Sequence, residues 1–102
     1  MGKVWVIEDS GHNYAGALQF GEIEILCNND YPFTDSSAQN KVIFDLNKKL
    51  RLFDPNTDRL LLIGDPILIG ICFSLLTHYT RVIPVLKWDR KRRVYLPTTL
   101  IL

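Results

Sequence analysis

Cysteine is scarce in this chain. Cys27 and Cys72 are the only two, too few for the disulfide scaffold that holds small secreted domains together. Both sit inside apolar runs, where a free thiol acts as a small hydrophobe. A reducing, intracellular setting is the expectation, with a single bridge between the two left open. An excess of one charge is equally missing: 12 Lys and Arg stand against 11 Asp and Glu, a net of +1. That excludes a surface built as a whole for nucleic acid and an acidic disordered tail. Long hydrophobic runs are absent too. The most apolar region, 60–76, is interrupted at Gly64-Asp65-Pro66, and neither half reaches the ~20 apolar residues a bilayer crossing needs. No membrane partner is expected, and the chain reads as soluble and cytoplasmic. Met1-Gly2-Lys3 leads directly into a strand-like run with no signal-peptide pattern. Val6 stands where a myristoylation site requires Ser or Thr. There is no Gly-x-Gly-x-x-Gly fingerprint, no Walker loop, no metal-ligand spacing and no internal repeat.

What is present is the pattern of one α/β domain over residues 1–102. Lys3-Val4-Trp5-Val6-Ile7 and Leu60-Leu61-Leu62-Ile63 are continuous β-branched, leucine-rich or aromatic runs, the mark of strands buried on both faces. Arg81–Trp88 is a third such strand, in which Pro84 implies an edge or a bulge. Glu22 and Glu24 alternate with Ile23 and Ile25, a half-exposed strand nearer a sheet edge. Residues 14–20 suit one helical turn. Ala38, Val42, Ile43, Leu46, Leu50 and Phe53 recur at helical spacing over about 37–53, with Thr34, Ser36 or Ser37 as the cap. A second helix, 67–79, is apolar nearly all round and expected to be buried on most of its surface, with Gly70 and Ser74 allowing a close backbone approach. Asp65 and Pro66 open it as N-cap and first residue. After a turn at 89–92, Arg93–Leu96 returns as a hairpin partner. The order is β-β-α-β-α-β-β. It predicts a small mixed, mostly parallel sheet flanked by two main helices, helices on both faces, and a C-terminal β-hairpin.

Parallel sheets bind ligands beyond the carboxyl ends of their strands. That rule gathers Asp9, Ser10, His12, Asp65 and Trp88 on one candidate rim. Asp9, Asp65 and His12 have the chemistry of a metal or acid–base group. Against this, Asp65 already serves as an N-cap and Asp9-Ser10-Gly11 is ordinary turn chemistry. A phosphate or nucleotide can dock at a glycine between strand and helix, although Asp65 would repel it at that helix start. Lys87, Arg90, Lys91, Arg92 and Arg93, with Trp88, form a basic hairpin able to grip a nucleic-acid backbone; the competing reading is a turn kept soluble by its charges. The apolar Leu100-Ile101-Leu102 end and the apolar helix call for more cover than one copy provides, which points to a protein partner or a homo-oligomer. No cofactor and no reaction can be assigned.

Two stretches, from Lys3-Val4-Trp5-Val6-Ile7-Glu8-Asp9 to Tyr14 and from Leu60-Leu61-Leu62-Ile63-Gly64-Asp65-Pro66 to Trp88-Asp89-Arg90, resemble small uncharacterised α/β proteins encoded by bacteriophages. The resemblance implies a small intracellular accessory protein of the host cytoplasm, one acting on host machinery, and it brings no catalytic residue. The working expectation is a self-associating binding protein. The alternatives are a small enzyme or nucleotide or metal binder at Asp9, His12 and Asp65, and nucleic-acid binding through 87–93.

Overall fold

The computed structural model describes residues 2–9, 11–28 and 35–102. Five strands form one sheet: β1 (Lys3–Glu8), β2 (Glu22–Cys27), β3 (Arg59–Leu61), β4 (Val82–Asp89) and β5 (Val94–Ile101). Two helices, α1 (Ser36–Leu50) and α2 (Pro66–Leu76), and a 3-10 helix at Ala15–Phe20 connect them. The strand order is β2-β1-β3-β4-β5. β1, β2, β3 and β4 run parallel, and β5 returns antiparallel to β4. The mostly parallel sheet, the two main helices and the C-terminal hairpin are those the patterning predicts.

The helices depart from expectation in one respect: both pack on the same face. Trp5, Ile7, Leu60, Ile83 and Val85 meet Val42, Leu46 and Leu50 of α1 and Leu68, Cys72 and Leu76 of α2 in one core. Val4, Val6, Leu61, Leu86 and Tyr95 meet Ala17 of the 3-10 helix in the other. The cause is crossover handedness. From β1 the chain steps one way to β2; from β2 it steps back across β1 to β3 and on to β4. Right-handed crossovers taken in opposite directions leave their connections on opposite faces. Each large side chain buried between helix and sheet contributes about 1.5–3 kcal/mol, more than the ~1 kcal/mol of a cap. These stripes therefore hold α1 and α2 in place.

Four local expectations are corrected. Asp35 caps α1, its Oδ1 accepting from the Ala38 N–H at 2.7 Å, because the helix begins at Ser36, inside the span where Ser36 and Ser37 had been read as caps; Thr34 lies outside the described residues. α2 is fully buried along one stripe, Leu68, Cys72 and Leu76, with Ile69, Ile71, Phe73 and Leu75 partly buried against the core. Ile67, Gly70 and Ser74 are exposed, and nothing lies within 4 Å of a Cβ placed on Gly70. Pro84 marks neither edge nor bulge. Leu102 donates to the Arg81 carbonyl and Leu62 to that of Leu86, so alternate residues of β4 face β5 and β3 in turn. Pro84 faces β3, which begins to pair only at Val85, and its missing N–H leaves no ladder bond unmade. Finally, the apolar end is no tail: β5 continues through Pro97, opposite Leu86, to Ile101.

At the amino-terminal end of the sheet, Asp58 is 5 % exposed. Its carboxylate accepts from Lys3 N (2.9 Å), Trp5 Nε1 (3.0 Å), Asp54 N (2.9 Å) and Thr57 Oγ1 (3.1 Å). Burial pushes this carboxyl up, but the hydrogen bonds outweigh it and hold the group below its ordinary value. Both cysteines are free and buried, and burial, with Cys27 nearby, pushes the Cys72 thiol up to about 12.

Candidate site: a cationic cleft at the carboxyl ends of the strands

The strand order reverses between β1 and β3, since the chain leaves β1 toward the 3-10 face and β3 toward the helix face. Ligand clefts of open α/β sheets lie at such points, beyond the carboxyl ends. An open cleft of about 890 Å³ occupies that position. Its floor is Glu8, Leu62, Ile63 and Gly64, and one wall is His12, Asn13, Ala15 and Gly16. Lys87, Trp88, Arg90, Arg93 and Tyr95 form the other.

Alternation puts Glu8 on the same face as Val4 and Val6. Its Oε1 accepts from the Asp65 N–H at 2.8 Å, joining the end of β1 to the start of α2. Gly64 permits this approach. It holds φ +125°, and a Cβ there would lie 2.5 Å from the Glu8 Cβ, a distance no packed pair tolerates. Where the two walls meet, Tyr95 packs its ring against Gly16, where a Cβ would sit 3.4 Å from Tyr95 Cδ2. Its hydroxyl donates to the Asn13 carbonyl at 3.3 Å. Burial pushes the Tyr95 phenol up. Trp88 faces Tyr95 across the hairpin, ring centroids 4.8 Å apart and planes at 58°, and remains 39 % exposed.

The cations come from the hairpin turn. Asp89 organises it: Oδ1 accepts from Lys91 N and Arg92 N, at 2.9 and 3.2 Å, and its carbonyl accepts from Arg93 N at 2.8 Å. The same carboxylate lies 3.9 Å from Arg92 Nε. Arg93 sits at φ 54°, the left-handed region where a side chain costs about 1–2 kcal/mol and glycine is favoured. With Asp89 committed to Arg92, none of Lys87, Arg90 and Arg93 has an ion pair among the described residues.

Of the predicted rim, His12 and Trp88 line the cleft. The two aspartates are engaged beside it. Asp9 Oδ1 accepts from Gly11 N and Tyr14 Oη, both at 3.1 Å, and Asp65 Oδ1 accepts from Ile67 N at 2.8 Å as the cap of α2. Ser10 lies outside the described residues. Among the described residues no group of three or more His, Cys, Asp or Glu is placed to hold a metal ion, and no helix is long and apolar enough to cross a membrane. Of the basic hairpin, Lys87, Arg90 and Arg93 line the cleft, Arg92 pairs with Asp89, and Lys91 lines a neighbouring groove. Glu8 and Tyr95 are additions to the predicted set. The period-two count from Val4 and the hairpin register opposite Trp88 are the signals that lead to them.

A family model described as phage Pam3 gp32-like protein matches residues 3–102, and the chain belongs to that family. Searches of curated proteins and of solved structures return no match.

Proposed function

We propose that this phage-family protein is a binding protein of the host cytoplasm whose carboxyl-end cleft takes a phosphate-bearing, ring-containing ligand, a nucleotide unit. One observation carries the reading. Lys87, Arg90 and Arg93, without carboxylate partners, converge with the half-exposed Trp88 on a cleft at the point of strand-order reversal. Unpaired cations at a concave site attract phosphate, and an accessible indole offers a base a face to stack on. The placement of Arg93 supports it. A turn that favours glycine carries an arginine instead, at a conformational cost. The engagement of Asp9 and Asp65 in local hydrogen bonds favours holding a ligand over transforming it.

The test is calorimetry and thermal unfolding with the nucleoside monophosphates and with inorganic phosphate. Saturable binding of at least one nucleotide, weakened about tenfold or more in Arg93→Gly and in Trp88→Ala, is the expected result. Silence with every nucleotide would remove the reading. Arg93→Gly is chosen because it relieves the backbone strain as it removes the charge, so lost binding cannot be put down to unfolding.

A second reading, self-association, has an observation of its own at the free edge of β5. Residues 94–102 contain no charged side chain, and Ile101 is 80 % exposed, whereas the opposite edge, β2, carries Glu22 and Glu24. Uncharged edges pair with further strands, and an antiparallel β5–β5 contact between two copies satisfies both by one twofold axis. Sedimentation of the protein and of Thr99→Lys decides it: a dimer that the lysine dissociates is expected, and a monomer at high concentration ends this reading.

A further inference from the structure

We infer that the ligand of the cleft is single-stranded nucleic acid, one nucleotide of which occupies the cleft while the strand continues over the root of the hairpin into a second groove. This rests on the nucleotide reading above and extends it from a single unit to a chain. The second groove, of about 390 Å³, is lined by Lys87, Trp88, Asp89, Arg90, Lys91 and Leu96. Lys87, Trp88 and Arg90 line both concavities. The indole therefore stands as a saddle between two hollows, with cations on either side of it.

A site for a free nucleotide has no use for the second hollow, since Arg90 and Arg93 on the cleft already offer cations for one phosphate. A strand has. Its backbone repeats a charge at every nucleotide, and a run of spaced cations tracks it, while an aromatic ring accepts successive bases without regard to their identity. The charge distribution fits this use. Five cations and one carboxylate fall within residues 87–93, in a chain whose total is only +1, so the positive field is local to the two grooves. The one carboxylate of this segment, Asp89, lines the second groove with its oxygens engaged by Lys91 N, Arg92 N and the Arg92 guanidinium, which offsets its charge there. A duplex fits less well, because its bases are already stacked and paired and leave the exposed face of Trp88 unused.

The experiment is fluorescence titration of the whole chain with thymidine 5′-monophosphate, with a short oligothymidylate and with a duplex of the same length, each across a range of salt. The oligothymidylate is expected to bind about tenfold or more tighter than the monophosphate and tighter than the duplex, with log affinity falling linearly in log salt. Lys91→Gln is expected to lower that salt slope by about one for the oligomer and to leave the monophosphate unchanged. Trp88→Leu is expected to weaken both ligands. If the monophosphate binds as tightly as the oligomer and Lys91→Gln is silent, the strand is refuted and the nucleotide reading stands. If the duplex binds as well as the single strand, the inference also falls. If neither ligand binds, both readings fall together.

Discussion

Each end of the sheet holds a carboxylate close to backbone N–H groups, and the two ends are put to opposite use. At the amino-terminal end Asp58 is buried, and both of its oxygens accept, from two backbone N–H groups, an indole and a hydroxyl. At the carboxyl-terminal end Glu8 accepts from Asp65 N and borders an open cleft whose Lys87, Arg90 and Arg93 make no ion pair among the described residues. The same functional group is thus a rivet where its acceptor capacity is filled and water is excluded. Where its surroundings stay open and charged, it borders the cleft for which a ligand is proposed.

The contrast is broken most forcefully at Asp58. Asp58→Ala strands two backbone donors and an indole N–H in a buried place, at about 1–3 kcal/mol each for those left without water. A total loss of roughly 3–5 kcal/mol is expected, a large share of a small domain's stability. Urea unfolding followed by tryptophan fluorescence measures it. The folded fraction is expected to bind nucleotide as before, because nothing at the cleft has changed; lost binding in that fraction would show that the two ends are not separate.

Gly64→Ala comes next. The new Cβ meets Glu8 Cβ at 2.5 Å and the backbone stands at φ +125°, a region costly for any side chain. A loss of roughly 2–4 kcal/mol is expected. Unlike Asp58→Ala, this change also displaces the floor of the cleft, and nucleotide affinity falls with stability. An alanine variant of unchanged stability would mean that β3 and β1 are not locked together at this point.

Acid sharpens the comparison with no mutation at all. The Asp58 carboxyl is held below its ordinary value of 3.8 by its hydrogen bonds, against the upward push of burial. The unfolded chain therefore takes up the proton first as pH falls. The stability that Asp58 contributes is complete above 3.8 and is lost progressively as pH drops through and below that value toward the folded-state one. Asp58→Asn is expected to flatten this part of the stability profile. An unchanged slope would assign the acid sensitivity to other carboxylates.

Much of this was legible before any coordinates. Val4 to Ile7 and Leu60 to Leu62 carry apolar side chains at consecutive positions because those strands are covered on both faces, and no helix of this length needs that pattern. Asp65 and Pro66 announce the start of α2 by local chemistry alone. The faces of the helices were not legible, because they follow from the direction of the first crossover, and nothing in residues 9–21 encodes a direction. The hairpin partner expected over Arg93–Leu96 runs on to Ile101, because the Pro97 nitrogen points away from β4 and costs no ladder bond there. At the carboxyl ends of the strands, the rule for parallel sheets gathered His12 and Trp88, which line the cleft on which the proposal rests. It could not tell which carboxylates would be consumed by turns and caps, so Asp9 and Asp65 were placed where Glu8 stands.

The smallest expected effect is the most telling. Arg93 occupies a turn position at φ 54° that glycine adopts without strain, and its side chain makes no ion pair that folding would lose. Glycine relieves about 1–2 kcal/mol of strain but gives the unfolded chain more freedom, which takes back up to about 1 kcal/mol. Arg93→Gly is therefore expected to leave stability unchanged or to raise it by less than about 1 kcal/mol, while ligand affinity drops. Thermal unfolding without and with nucleotide reads both quantities in one experiment. A variant that loses stability in the absence of ligand would mean that the arginine is there for the fold, and the strain at this turn would then say nothing about a ligand.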